Sequence, residues 1–195
     1  MKSLPRLFAV LAALLIGMLY VFPLWQITLD APQFPEGVNM YIHIDKIGGD
    51  SPGTLQNINI LNHYIGMAKI VPESIPELQY FPYVVAGLIL FSLVAAMVNK
   101  PRLYLTFTIV FAILAVLGIY DFYTWMYEYG HNLEPTAPIK VPGQSYQPPL
   151  LGTKMILNFK VSSFPAVGGI SMGIALFSSA LAWFFCRKAL KKTRP

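Results

Sequence analysis

The sequence predicts an all-α membrane protein with a single domain, residues 1–195, in which four transmembrane helices carry a small extracytoplasmic cap made of two long loops. The first observation is composition, since 55% of the residues are apolar and only 12% are charged, which is typical of a chain that lies mostly in lipid. The second is that four stretches of at least 18 residues contain no charged residue, and each is long enough for a helix to cross a hydrocarbon layer about 30 Å thick. The third is the uneven distribution of basic residues over the segments between these stretches.

Helices are expected in the four stretches because every backbone polar group must find a partner within the chain when it lies in lipid. The charge-free stretches are residues 7–29, 78–99, 103–120 and 161–186. Within them we predict transmembrane helices at about 7–25, 79–99, 103–121 and 163–186, which leaves outer loops at about 26–78 and 122–162.

The first predicted helix could also be a secretory signal peptide, because Lys2 and Arg6 precede a long apolar run. The run continues through residues 21–25 without the small residues of a cleavage site. We therefore expect an uncleaved first helix, with Trp25 at the outer membrane–water interface.

The basic residues predict that both termini are cytoplasmic. Two of them precede the first helix, two lie between the second and third helices, and five follow the fourth, so nine of the 14 share one side, while all nine acidic residues lie on the other. The positive-inside rule assigns the basic side to the cytoplasm, which places both termini there and the two long loops on the outer side of the membrane. The net charge of +5 then belongs to helix flanks, which argues against a nucleic-acid partner.

The two outer loops contain a predicted strand and a predicted helix. The alternation in VNMYIHIDKI, residues 38–47, predicts a strand, and TLQNINILNHYIGM, residues 54–67, predicts a short helix with one apolar face. The third transmembrane helix is expected to continue beyond the membrane into the second outer loop and to end at Gly130. The Pro-rich chain at residues 132–152 is expected to be irregular.

The stretch GISMG, residues 169–173, matches the GxSxG pattern of serine hydrolases. That pattern needs a turn between a strand and a helix, whereas this match lies in a predicted membrane helix with no histidine at the same depth. We interpret Gly169 and Gly173 as a GxxxG face that packs against a neighbouring helix. Because no charge-free stretch holds an ionisable group at mid-depth, a transporter acting alone is disfavoured, and the chain is not expected to be an enzyme.

Soft-metal donors occur in the outer loops. Neutral imidazole and thioether sulfur suit copper, and the thioether favours Cu(I). His63 and Met67 are four residues apart in the predicted helix, so their side chains are expected to share one face. The one cysteine, Cys186, is at the cytoplasmic end of the fourth helix, which excludes thiolate sites on the outer side. Alternatively, each histidine only forms hydrogen bonds near the membrane. The candidate ligands are His43, His63, Met67 and His131, with Met40 and Met126 nearby in sequence.

Four blocks of the chain resemble a little-characterised family of four-helix membrane proteins associated with nitrous-oxide reductase maturation gene clusters of bacteria. The resemblance extends from Glu36 to about Gly169. It implies copper supply to, or assembly of, an extracytoplasmic cuproenzyme, beside a copper lipoprotein and an ABC transporter as partners. The blocks are PEGVNMYIHIDKIGG, LQNINILNHYIGM, DFYTWMYEYGHNLEPTAPIKVPG and SYQPPLLGTKMILNF, and the residues carried over are His43, Asn62, His63, Met67 and His131.

These observations favour a membrane-anchored accessory protein that acts as a copper chaperone for an extracytoplasmic cuproenzyme of the nitrous-oxide reductase type. In this interpretation Asn62 orients a metal ligand from behind. The alternative is a non-catalytic structural subunit of a respiratory or transport membrane complex, in which the histidines only pack and form hydrogen bonds. Metal bound to the purified protein would favour the first function over the second.

Overall fold

The computed structural model describes residues 3–32, 34–141 and 143–192. The described part of the chain contains five α-helices, five β-strands and two short 3₁₀ turns. The helices are α1 (Leu4–Gly17), α2 (Thr54–Ile65), α3 (Glu77–Val98), α4 (Pro101–His131) and α5 (Val167–Lys192). The strands are β1 (Trp25–Ala31), β2 (Phe34–Ile42), β3 (Ile47–Gly49), β4 (Gly152–Ile156) and β5 (Phe159–Pro165), and the 3₁₀ turns are Met18–Tyr20 and Pro72–Ser74.

Three helices, α3, α4 and α5, are long and apolar enough to cross a membrane, in agreement with the predicted membrane protein. The first apolar helix is shorter and covers Leu4–Tyr20 when its 3₁₀ turn is included, whereas we predict a helix to residue 25. The chain leaves the helical conformation early because Pro23 follows and Trp25 already pairs with Ile42 and Pro165 in a sheet.

The four apolar helices form one bundle in which α1 and α4 each pack against both α3 and α5. Small side chains on α1, including the buried Ala9 and Ala12, allow close approach of the helices. Two buried serines join the helices by hydrogen bonds, since Ser92 Oγ donates to the Ala9 carbonyl at 2.8 Å and Ser178 Oγ donates to the Phe8 carbonyl at 2.9 Å. The hydroxyl groups of these two serines therefore find their partners within the bundle.

The strands all lie at one end of the bundle. β1 follows the first apolar helix, and β5 leads into α5 with one residue between them. At the opposite end the thiol of Cys186 lies 3.7 Å from the carbonyl oxygen of Asn99, and the ring of Phe8 stacks on that of Phe185 at 5.5 Å. The start of α1, the α3–α4 turn and the end of α5 therefore lie together, away from the sheet.

The chain is mainly helical, as predicted, but a five-stranded antiparallel sheet, in the order β3-β2-β1-β5-β4, corrects the all-α part of the prediction. Only residues 38–47 are predicted as a strand, whereas β1 and β5 overlap charge-free stretches that we assign to membrane helices. Hydropathy alone does not distinguish a short apolar strand from the end of a helix. Because β1 pairs with β2 on one side and β5 on the other, the two outer segments form one unit. We call the sheet, α2, residues 122–131 at the end of α4 and the chain between α4 and β4 the cap.

The sheet has an apolar inner face and a polar outer face. On the inner face Ile27, Met40 and Val161 pack against Ile58 of α2 and Met126 of α4. α2 begins where predicted and buries the predicted apolar residues Ile58 and Ile65, so that interpretation is confirmed. The outer face carries hydrogen-bonded polar side chains, namely Gln26, Thr28, Asn39, Tyr41 and Asp50.

Gly169 packs closely against a neighbouring segment, but Gly173 does not, so the predicted GxxxG face is wrong. A Cβ atom on Gly169 would overlap the carbonyl oxygen of Leu24, and one on Gly168 would lie 2.6 Å from the carbonyl oxygen of Pro23. The same two carbonyls accept hydrogen bonds from backbone N–H groups at the start of α5, which a helix leaves unpaired. A Cβ atom on Gly173 would have no neighbour within 4 Å. The glycines therefore fit the chain between α1 and β1 and not another helix.

α4 has 31 residues and continues one residue beyond Gly130, where we expect its end. At 1.5 Å per residue it is about 46 Å long, roughly 16 Å more than a hydrocarbon layer. Gly130 is buried inside the last turn, and a Cβ atom there would overlap the backbone of Gln147. The glycine therefore allows close packing and does not terminate the helix, and the C-terminal part of α4 belongs to the cap.

Candidate functional site

The end of α2 brings His63 and Met67 to one surface. Gly66 follows the helix in the left-handed conformation, with φ of 81°, which glycine adopts without strain. The N–H of Met67 donates to the Asn62 carbonyl at 2.9 Å, a hydrogen bond typical of a helix terminus. Met67 therefore lies just outside the helix, and the predicted shared helical face is replaced by a turn.

His63 and Met67 line one cavity of about 220 Å³ at the surface of the cap, which we call the surface cavity. His63 is exposed and Met67 is half-buried. The far wall is the chain after α4, held in place because the N–H of Glu134 donates to the Gly66 carbonyl at 2.8 Å. The lining residues are His63, Gly66, Met67, Ala68, Asn132, Glu134, Thr136 and Ala137.

Asn62 supports the turn that carries Met67. Its side chain is buried, and its Nδ2 donates to the Ala68 carbonyl at 3.3 Å. Its backbone carbonyl accepts a hydrogen bond from the Met67 N–H. These two hydrogen bonds fix the chain on both sides of Met67. Asn62 would therefore influence metal binding by Met67 indirectly, by holding the turn that carries Met67.

His131 is the last residue of α4, and its ring is exposed. The ring stacks on Tyr127 with 3.9 Å between centroids, and Nδ1 lies 2.9 Å from the Tyr127 carbonyl oxygen. Because a carbonyl only accepts, Nδ1 carries the proton and donates. His131 does not belong to the lining of the surface cavity, although Asn132 does.

His43 lies in the turn between β2 and β3, where its N–H donates to the Lys46 carbonyl at 2.9 Å. The next residue, Ile44, is buried among the apolar side chains of the helix bundle. Burial first, and then the nearby Lys46 ammonium, lower the pKa of His43, and the Asp45 carboxylate opposes them. A lowered pKa favours the neutral imidazole, which is the form that binds metals.

Across residues 3–32, 34–141 and 143–192, no three His, Cys, Asp or Glu side chains form a group that could hold a metal ion. The three histidines therefore do not come together in one site. Of the four candidate ligands, the surface cavity unites His63 and Met67 only. A copper site at these two residues stays a prediction.

The surface cavity also contains a carboxylate that the sequence did not single out. Glu134 follows α4 by three residues, and its Oε1 accepts a hydrogen bond from Thr136 Oγ1 at 3.0 Å. Its position in a Pro-rich segment gave no signal, since only the docking of this segment on Gly66 brings it to the cavity that His63 also lines. The residues that line the cavity thus include an imidazole, a thioether and a carboxylate, groups that suit copper in either of its common oxidation states.

A second cavity of about 60 Å³, which we call the internal cavity, lies among mostly buried side chains between the inner face of the sheet, α2 and α4. Three methionines line it: Met40, Met67 and Met126. Met67 also lines the surface cavity, so this one side chain borders both spaces.

The chain matches no protein-family model, and a search of curated proteins gives no significant match.

Proposed function

We propose that the protein is a membrane-anchored accessory protein that binds copper and delivers it to an extracytoplasmic cuproenzyme of the nitrous-oxide reductase type. The observation that carries this proposal is the surface cavity, in which His63 and Met67 are brought together by the Gly66 turn. An imidazole and a thioether suit copper. Because His63 is exposed, the ion can pass to a partner such as the cuproenzyme, a copper lipoprotein or an ABC transporter.

The proposed topology has four membrane spans, with both termini in the cytoplasm and the cap in the periplasm of a bacterial inner membrane. Its support is the charge distribution together with the arrangement of the helix ends, since the start of α1 and the end of α5 lie opposite the sheet. α1 and its 3₁₀ turn, Leu4–Tyr20, extend roughly 27 Å, close to the thickness of a hydrocarbon layer. In this topology the surface cavity opens to the compartment where extracytoplasmic cuproenzymes are loaded.

The topology predicts where a reporter enzyme is active. A reporter that works only outside the cytoplasm is expected to be inactive when fused after Pro195 and active when inserted at Gly143, whose Cβ position has no neighbour within 4 Å. Activity would be measured in intact cells and normalised to the amount of fusion protein. The reverse pattern would place the cap in the cytoplasm and would contradict the proposed function.

The proposed site predicts that His63→Ala weakens copper binding. Loss of a direct ligand is expected to reduce affinity by about tenfold or more, because even residues behind a ligand contribute that much. Met67→Leu is expected to reduce copper affinity at the surface cavity less than His63→Ala does, since a thioether is the weaker donor. Affinity would be measured by competition with a chromophoric chelator for the full chain in detergent.

The matched control is His131→Ala, which removes another exposed imidazole of the cap outside the surface cavity. This variant is expected to bind copper like the wild type. In cells, His63→Ala should lower the copper content of the cuproenzyme at unchanged abundance of this protein in the membrane. Wild-type affinity in His63→Ala would show that the surface cavity is not a copper site.

One observation favours the second candidate function, a structural subunit of a respiratory or transport complex. β4 is an edge strand paired only with β5, and its residues Thr153, Lys154 and Met155 are exposed. An edge of this kind can accept a strand from another protein. Copurification of a large complex with the wild-type chain, with no copper bound at any stage, would favour this function.

A further inference from the structure

The internal cavity collects methionines from three separate parts of the chain. Met40 is in the middle of β2, Met67 follows α2, and Met126 is in the cap portion of α4. Met40 and Met126 are almost fully buried, with 3% and 1% of their surface exposed. Thus two buried thioethers and one half-buried thioether line a single space of about 60 Å³, which is too small for an organic cofactor.

Few polar groups border this cavity. Asn62 Nδ2 donates to the Ala68 carbonyl, and the Tyr129 hydroxyl donates to the Lys69 carbonyl at 3.0 Å. The hydroxyl of Tyr146 is buried and has no hydrogen-bond partner within the described part of the chain. Almost all the other lining residues are apolar, so the lining suits a soft or apolar occupant.

We propose that the internal cavity is a Cu(I) site whose ligands are the thioether sulfurs of Met40, Met67 and Met126. Thioether ligands select Cu(I) among the common metal ions. The absence of carboxylate and imidazole groups from this lining disfavours Zn²⁺ and other harder ions.

The two cavities suggest a path for the ion, and this step rests on the proposed function. His63 and Met67 capture Cu(I) in the surface cavity, and Met67, which lines both cavities, passes it to Met40 and Met126. The transfer is an exchange of ligands. Copper stays Cu(I) throughout, so no electron donor or acceptor is required. The internal site stores the ion among buried side chains, and the surface site exchanges it with a partner.

Methionine is also a common filler of apolar cores, so the test must separate packing from ligation. Replacement by leucine conserves volume and usually costs little stability, while it removes the sulfur. Met126→Leu and Met40→Leu would be made in the full chain and purified in detergent under reducing conditions. Cu(I) affinity would be measured by chelator competition, and thermal unfolding would be followed on the same samples.

We expect each of the two variants to lose about tenfold or more in Cu(I) affinity, with a melting temperature close to that of the wild type. The matched control is Met155→Leu, which makes the same change at an exposed methionine of β4. It is expected to bind like the wild type. X-ray absorption of the loaded wild-type protein should show sulfur as the main ligand atom, and the sulfur ligands should persist in the spectrum of His63→Ala, in which only the surface site is weakened.

The outcomes distinguish this inference from the proposed function. If His63→Ala and Met67→Leu lose affinity while Met40→Leu and Met126→Leu behave like Met155→Leu, the internal site is wrong and the surface site stands. A spectrum with nitrogen or oxygen as the main ligand atoms would also overturn the internal site. If the wild-type chain does not bind Cu(I), both proposals fail. If one leucine variant unfolds, the other carries the test.

Discussion

Gly130→Ala is expected to destabilise the cap strongly, although alanine is the better helix former. Gly130 lies in the last turn of α4, where an added Cβ atom would overlap the backbone of Gln147. The adjacent hydrogen bond, from the Tyr146 N–H to the Gly130 carbonyl at 2.9 Å, holds the two segments in contact. Since a backbone cannot rotate away as a side chain can, we expect a loss of about 1–3 kcal/mol or more, measured as thermal unfolding in detergent.

Gly118→Ala is the matched control for this prediction. It makes the same substitution in the same helix, at a glycine where a Cβ atom would have no neighbour within 4 Å. There the gain in helix propensity is unopposed, and stability is expected to stay equal or to rise by up to about 1 kcal/mol. Equal effects at the two positions would show that Gly130 and Gln147 are not in contact.

Gly169→Ala is expected to disrupt the connection between the bundle and the sheet. Its Cβ atom would overlap the carbonyl oxygen of Leu24, which accepts a hydrogen bond from the N–H of Ala166 at 3.0 Å. To relieve the overlap the chain must move and weaken this hydrogen bond, so both steric strain and an unpaired polar group contribute. We expect a clearly lower melting temperature, or loss of the protein from the membrane fraction.

Gly173→Ala provides the comparison within α5, because it lies one turn further along and a Cβ atom there meets nothing within 4 Å. It is expected to leave stability and abundance unchanged. If Gly173→Ala were the more harmful of the two, α5 would pack through this glycine after all. That result would restore the GxxxG face predicted from the sequence.

Features that depend on local pattern were predictable from the sequence. The charge-free stretches identified the apolar helices because transfer to lipid depends on composition over about 20 residues. The 3.6-residue period of TLQNINILNHYIGM identified α2, and it also placed His63 and Met67 close enough to share a surface. The left-handed Gly66 changed the geometry of this pair from a helical face to a turn, without separating the two side chains.

Features that depend on contacts between distant residues were not predictable. β1 and β5 pair over more than 130 residues of sequence, as in Trp25 with Pro165, and each strand adjoins an apolar helix whose hydropathy obscures it. The three methionines of the internal cavity are likewise distant in sequence, and only the packing of the sheet on α2 and α4 brings them together. No local period carries that information.

The unbroken course of α4 has a mechanical consequence. One helix carries Phe111, buried in the bundle, and Met126, buried in the cap, so no hinge separates the two regions along this path. Met126 is six residues beyond Tyr120, where the charge-free stretch ends, a rise of about 9 Å. α4 thus holds Met126 at a fixed distance from the end of its apolar stretch, and a partner that docks on the cap would meet it at that distance from the bundle.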